Sequence, residues 1–255
     1  MDEQIASLSG SNNRNWLDFI NCLNSGQRAR LLAQGVRRRF SRDDLIFQAG
    51  SSSDDVFILL DGRVKIFQLS CEGKEVILWF CFPGEIFGLA EVVRLASREV
   101  NALACSSVEL LTVKQADFRQ FLLSEPQAAL SVIELMSARL RELGDVLLNL
   151  ASEDVRSRVI KLITRLAARY GQRQEHYISL NIPLTHQEMA DMIGTSRQTV
   201  TTVLGDLRRS GVLKTEQRSI IIVNSHWVEM LSTNFENGSS KRSACSSNTL
   251  QVFNF

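Results

Sequence analysis

The chain of 255 residues is poor in the residue patterns from which catalytic and secreted proteins are assembled. Its five cysteines, Cys22, Cys71, Cys81, Cys105 and Cys245, are odd in number and form no CxxC pair, which argues against a disulfide framework and against a local zinc site. The three histidines, His176, His186 and His226, all lie in the last third. No HExxH, Walker glycine loop or GxSxG motif occurs, so an enzyme is not expected. No run approaches the roughly 20 apolar residues of a membrane span. The start "MDEQIASLSG" is acidic and polar where a signal peptide is basic and then apolar. A cytoplasmic protein without a membrane partner is expected.

Strong overall charge is missing too, since the formal net charge is +1, but the balance is uneven. Residues 1–151 carry 16 Lys and Arg against 19 Asp and Glu, a net of −3, whereas residues 152–224 carry 11 against 7, a net of +4. The basic excess is local and is compatible with a nucleic-acid partner.

The hydrophobic periodicity changes along the chain. Two short helical patterns, "RNWLDFINCL" and "SGQRARLLAQG", come first. From Phe40 glycines recur every 11 or 12 residues, at Gly50, Gly62, Gly73 and Gly84, and the β-rich runs "DDVFILLD", "RVKIFQLS" and "EVILWFCF" stand between them. Short strands joined at glycine turns predict a β-sandwich or barrel-like roll. After "ALACSSVELLTV" the strands end, and a helical period begins near Pro126. Ile133, Met136, Leu140, Leu143, Leu147 and Leu150 are spaced 3, 4, 3, 4, 3. Such an a/d seam predicts a coiled-coil partner helix, hence a homodimer, and a second row with Val132, Leu135 and Val146 can face the roll.

Ser152, followed by Glu153 and Asp154, reads as the start of a further helix, "SEDVRSRVIKLITRLAARYG", and residues 150–153 as a domain junction. "LTHQEMADMIG" then carries a capping box from Thr185 to Glu188. A very short turn at Gly194 leads to Ser196 as the cap of "RQTVTTVLGDLRR". Helix, tight glycine turn and second helix is the helix-turn-helix pattern, and "VLKTEQ" and "SIIIVN" follow as a hairpin wing. The second helix opens on Arg197 and Gln198 and strings threonines along its first turns, although threonine is a mediocre helix former. A partner that fills this polar start explains it. In the DNA major groove Arg197 is placed to meet a guanine and Gln198 an adenine or its neighbour, threonine methyls can touch thymine methyls, and Ser196, Thr199 and Thr202 can bond phosphates. Thr185 and His186, at the start of the preceding helix, complete the predicted DNA-binding set. The Ser/Asn-rich residues 233–255 read as a disordered tail.

Through "LLDGRVKIF", "PGEIFGLAEV", the helix over 126–150 and "LTHQEMADMIGTSRQTVTTVLGDLRRSGVL", the chain resembles the CRP/FNR family of bacterial transcription regulators over about residues 16–232. Around "TVLGDLR" it is similar to the nitrogen-control regulators of cyanobacteria. The resemblance implies an α+β fold: a cyclic-nucleotide-binding-like β-roll or jelly roll over 1–125, a dimerisation helix and hinge over 126–151, and a winged helix-turn-helix over 152–232. It further implies a homodimer on double-stranded DNA with TGT or TGTGA-like half-sites, RNA polymerase as a partner, and activation of transcription. Thr202 stands where many relatives have arginine, which points to a deviating half-site.

Cyclic-AMP-binding relatives place a Gly-Glu pair on the ribose and an Arg-Ser or Arg-Thr pair on the phosphate. The matching positions here are Gly88-Leu89 and Arg98-Glu99. Leu89 accepts no ribose hydroxyl and Glu99 sets a negative charge beside a phosphate, so tight binding of cyclic AMP is not expected. A small anion such as 2-oxoglutarate held by Arg98, control by abundance with no ligand, and a haem or redox switch through Cys71, Cys81 or Cys105 stay open. So does a wing that mediates protein interaction. Cys81, in an apolar strand, reads first as a small core residue.

Overall fold

The computed structural model describes residues 18–92, 96–174, 176–216 and 219–223. The chain divides between Asp145 and Val146 into two compact units. The first opens with a helical turn, α1 (Phe19–Cys22), where the Asp18 carboxylate accepts from the Asn21 amide at 3.1 Å. In α2 (Ser25–Gln34), Asn24 and Gln27 form a reciprocal capping box. Next come β1 (Val36–Phe40), β2 (Leu45–Phe47), β3 (Asp55–Asp61), β4 (Val64–Leu69), β5 (Glu75–Cys81), β6 (Ile86–Phe87), β7 (Asn101–Ala104) and β8 (Val108–Lys114). They form two antiparallel sheets, in the orders β1-β8-β3-β6 and β2-β7-β4-β5. The four glycines expected at turns have φ between 76° and 90°, a region closed to most side chains.

The two sheets enclose a core of Phe47, Phe57, Leu59, Val64, Ile66, Phe87 and Leu110, with Cys81 fully buried among them. Phe57 stacks on Phe47 and Phe87 at centroid distances of 5.6 and 5.2 Å. The other face of the first sheet, through Val56, Ile58, Leu111 and Val113, packs against Phe19, Leu31, Phe118 and Leu135 from helices. A sheet covered on both sides needs apolar residues at successive positions. This is why β3 carries the unbroken apolar run Val56–Leu60 and β8 sets Leu110 and Leu111 side by side, whereas the strand over "RVKIFQLS" alternates at its start. Strand β1 begins at Val36, four residues before the expected onset at Phe40, because an exposed edge strand tolerates the arginine run "VRRRF".

A helix not expected from the periodicity, α3 (Gln115–Ser124), precedes the long helix and buries Phe118 and Phe121. The long helix, α4 (Pro126–Ser152), ends two residues beyond the expected 126–150. Ala128, Leu135 and Arg139 are its buried residues. Arg139 Nη2 donates to the Glu85 carboxylate at 2.7 Å, with the two side chains 8% and 0% exposed, and its guanidinium lies 5.2 Å from the Trp79 ring centre. Arg139 also pairs with Glu142 at 3.3 Å.

The second unit contains α5 (Val155–Tyr170), β9 (Gln172–Arg173), β10 (Ile178–Leu180), α6 (His186–Ile193), α7 (Arg197–Arg209), β11 (Leu213–Glu216) and β12 (Ser219–Ile222). Ser152 does not start α5. Its hydroxyl donates to the Leu148 carbonyl as the last residue of α4, and Asp154 is the cap, accepting from the Ser157 amide at 2.7 Å. That bond holds the Asp154 carboxyl below the ordinary carboxylate value. Its stabilising effect is therefore present above that ordinary value and fades as pH falls through the lowered one. The expected hairpin is enlarged to a sheet in the order β11-β12-β10-β9. The predicted tail over 233–255, Cys245 and His226 lie outside the described residues, as do the first four residues of "RNWLDFINCL". Among the described residues no helix is long and apolar enough to cross a membrane.

Removing Glu85 takes the nearer and more deeply buried of its two carboxylate partners from the Arg139 guanidinium. Glu85→Ala is expected to lower stability by about 3–5 kcal/mol in urea unfolding. The double variant Glu85→Leu, Arg139→Met removes both charges and is expected to recover most of that loss. Equal loss in both variants would refute the charge account.

Candidate functional site

Helix α6 is capped twice over: the Thr185 amide donates to the Glu188 carboxylate at 2.7 Å and the Glu188 amide to the Thr185 hydroxyl at 3.1 Å. It ends at Gly194, whose φ of 65° sends the chain into a left-handed turn. Ser196 then caps α7 by accepting from the Thr199 amide at 3.1 Å. Val200, Val203, Leu204 and Leu207 form the buried face of α7, and Met189, Ala190 and Ile193 that of α6. The opposite face of α7 is polar. Arg197, Gln198, Thr201 and Thr202 are exposed there, and Thr199 is half-buried. Neither the Arg197 nor the Gln198 side chain makes a hydrogen bond or ion pair among the described residues.

Three of the four hydroxyl protons in this turn are already committed. Thr202 donates to the Gln198 carbonyl at 3.1 Å and Thr201 to the Arg197 carbonyl at 2.9 Å. Ser196 and Thr199 share one hydroxyl–hydroxyl bond of 2.8 Å, which leaves one of their two protons for an outside acceptor. A phosphate oxygen only accepts. The hydroxyl proton available to an outside acceptor in this turn is therefore at Ser196 or Thr199, while Thr202, with its proton used, presents its methyl. His186 is half-buried at the start of α6, with Nδ1 2.8 Å from the Thr201 hydroxyl. Burial, with the cations Arg208 and Arg197 nearby, holds its imidazole below the ordinary histidine value.

In the first unit the residues expected around a ligand are placed differently. Arg98 is turned inward, its side chain 1% exposed, and its Nη1 donates to the Glu91 carboxylate at 2.7 Å and to the Gly88 carbonyl at 3.1 Å. Its Nη2 donates to the Asp55 carbonyl, and the guanidinium lies 4.4 Å from the Phe47 ring centre. Leu89 is buried in the core and Glu99 is exposed. The backbone passes Arg98 closely at Gly88: a Cβ there would stand 3.0 Å from Nη1. Glu91 is the residue not anticipated from the sequence. Its own carbonyl accepts from Gln115 Nε2 at 2.5 Å, so it is held at both ends. Arg98 thus meets a carboxylate supplied by the chain itself.

Along α4, Ile133, Met136, Leu140 and Leu147 are 61%, 39%, 73% and 69% exposed, an apolar row without cover in the single chain. Leu143 is half-buried. Leu150 is partly engaged, lining a small cavity with Val146, Arg158, Leu162 and Ile193. Cys22 and Cys71 are exposed and Cys105 is half-buried. Among the described residues no three His, Cys, Asp or Glu side chains are grouped to hold a metal ion.

Comparison with known proteins agrees with both halves of this arrangement. The cyclic nucleotide-binding domain profile matches residues 37–125, and the Crp-like helix-turn-helix domain profile matches residues 157–227. A cyclic AMP receptor protein of Thermus thermophilus is 31% identical over 179 residues, which are 70% of this chain and 79% of that protein. The chain belongs to the CRP/FNR family.

A global nitrogen regulator of Synechocystis is 29% identical over 191 residues, 74% of this chain and 85% of the relative. A CRP-like cAMP-activated global transcriptional regulator of Mycobacterium tuberculosis is 27% identical over 186 residues, 73% and 83% of the two chains. Among solved structures, a CooA variant of Carboxydothermus hydrogenoformans shares the fold with a TM-score of 0.69 at 24% identity, covering 86% of this chain and 95% of its own. The c-di-GMP-responsive regulator CLP of Xanthomonas campestris does so with a TM-score of 0.66 at 22% identity, covering 79% and 100%.

This CRP/FNR protein is a DNA-binding transcription regulator with a sensor domain of the cyclic-nucleotide-binding type. Its relatives are regulators, not enzymes. At the position that fails to offer a ribose acceptor stands the buried Leu89, and the arginine expected at the phosphate is occupied by Glu91. Calorimetric titration with cyclic AMP up to about 1 mM is expected to show no saturable binding. Saturable binding in the micromolar range would overturn this assignment of the pocket.

Proposed function

We propose that the protein is a homodimeric, sequence-specific regulator that reads an inverted repeat of TGT or TGTGA-like half-sites through α7 and answers to a signal through its β-roll. The observation that carries this reading is the state of the α7 surface: Arg197 and Gln198 stand exposed without partners while the neighbouring threonine protons are spent within the helix. Arg197 is the principal base reader, Gln198 reads the adjoining pair, and Ser196 and Thr199 fix the register on phosphate with Thr185 and His186. The protein acts in the cytoplasm, with RNA polymerase as its downstream partner. The Arg98–Glu91 pair favours a sensor in which Arg98 is not left open for a free anion.

Selection from a randomised inverted-repeat library tests the reading, and is expected to return a palindrome whose affinity falls steeply with salt. Against that palindrome, Arg197→Ala is expected to lose about 1–3 kcal/mol and to relax preference at one base pair. Equal loss on selected and random DNA would refute base reading by Arg197.

The exposed row of α4 supports the dimer, since two such rows packed together remove their apolar side chains from water and set two α7 helices about 34 Å apart, one DNA turn. Leu140→Glu combined with Leu147→Glu is expected to give a monomer by sedimentation, with unchanged near-native circular dichroism and loss of palindrome binding. A variant that stays dimeric would place the interface elsewhere.

A further inference from the structure

His186 joins the two helices of the DNA-binding motif through a chain of two hydrogen bonds. The Thr201 hydroxyl donates to the Arg197 carbonyl at 2.9 Å, and His186 Nδ1 lies 2.8 Å from the same hydroxyl. The arrangement that keeps both bonds has the hydroxyl accepting from Nδ1, with the hydrogen on Nδ1. In the neutral imidazole this leaves Nε2 as a bare lone pair. A lone pair offers nothing to a phosphate oxygen, which is itself an acceptor. Only the imidazolium, with a proton on Nε2 as well, can donate to DNA from this position.

Resting on the DNA-binding reading above, we infer that His186 contacts a DNA phosphate only in its doubly protonated form, so that each recognition helix engaging its half-site takes up one proton. The proton comes from solvent and goes to Nε2, and no other bond changes. The surroundings set the resting state of the group. From α7 it faces two cations, Arg197 and Arg208, which together with burial disfavour the charged ring in the free protein. On its own helix, Glu188 is committed to the Thr185 amide and Asp191 accepts from Gln187 at 2.8 Å. From α5, Arg158 donates to the Ile193 carbonyl at the opposite end of α6, roughly 10 Å along the axis. A phosphate brought against this group supplies the missing counter-charge and raises the value.

The sign of the linkage follows. With the free value below that of ordinary histidine and the bound value above the free one, affinity is greatest below the free value. It declines as pH rises between the two and is level above the bound one. One proton per helix limits the decline to about tenfold per pH unit for each helix engaged.

The test uses the full-length protein and the duplex recovered by selection, titrated by fluorescence anisotropy at constant ionic strength from about pH 5.5 to pH 8.5. Calorimetry in buffers of different ionisation enthalpy counts the protons. The wild type is expected to bind more tightly as pH falls, with net proton uptake that vanishes in H186A and H186R. H186R, a permanent cation, is expected to bind tightly across the range, and H186A weakly and without slope. T201V is the sharpest variant. Without the hydroxyl, Nδ1 need no longer hold the hydrogen, the neutral ring can donate from Nε2, and the pH slope is expected to shrink while binding at pH 8.5 is kept. A wild type that binds without proton uptake, or an H186A that retains the slope, overturns the inference alone. Failure of any duplex to bind at any pH overturns the DNA-binding reading and this inference with it.

Discussion

The ion pair between Glu85 and Arg139 decides what the long helix can do. Both groups are withdrawn from water, and a buried charge is tolerated only when its partner is held in place. Glu85 sits beside the Gly84 turn, where its carbonyl accepts from the Leu59 amide at 2.9 Å and Ile20 reaches the Gly84 carbonyl. The N-terminal helix, the roll and α4 therefore meet at one electrostatic point. Because Arg139 must face Glu85 and stack on Trp79, the rotation of α4 about its own axis is set. Leu135 goes inward with it, and Ile133, Met136 and Leu140 are turned outward. The exposed row follows from a salt bridge on the other side of the helix.

The DNA-binding half relies on a different economy, that of hydroxyl protons. Threonine in a helix loses side-chain freedom, and four of the first seven positions from Ser196 onward carry a hydroxyl. Thr201 and Thr202 return to the carbonyl four residues earlier, Ser196 accepts as the cap, and Thr199 shares a bond with Ser196. The backbone thereby stays satisfied in a segment whose outer face has to remain uncommitted. Arg197 and Gln198 can then project without internal partners at a helix start that is nevertheless rigid.

Features encoded over a few residues were legible in the chain. The capping box of Thr185 and Glu188, the left-handed Gly194, the Ser196 cap and the turn glycines each depend on neighbours within four positions, and each stands where the sequence pattern puts it. The two-sheet roll was legible from the spacing of its turns. What escaped detection depends on distant partners. Glu91 shows its role only when the fold brings it to Arg98. Helix α3 is short, and its Phe118 and Phe121 make sense only against the covered sheet. The helix start at 152–154 was displaced by two residues because Ser152 and Asp154 are both competent caps, and Ser152 was claimed by the turn before it. In the DNA-binding set, residue types were readable but proton ownership was not, since donor and acceptor roles follow from geometry.

The carboxylate that occupies Arg98 gives the sensor domain a built-in competitor. Glu91 is tethered seven residues away and fixed by Gln115, so its effective concentration at the guanidinium is that of an intramolecular ligand, which for short tethers lies in the millimolar range or above. Any external anion directed at Arg98 has to displace a group that cannot diffuse away and must leave that group's charge in a new place. The internal pair is thus a threshold in its own right: an anion would hold Arg98 only where its affinity and abundance together exceed those of a carboxylate that is always present.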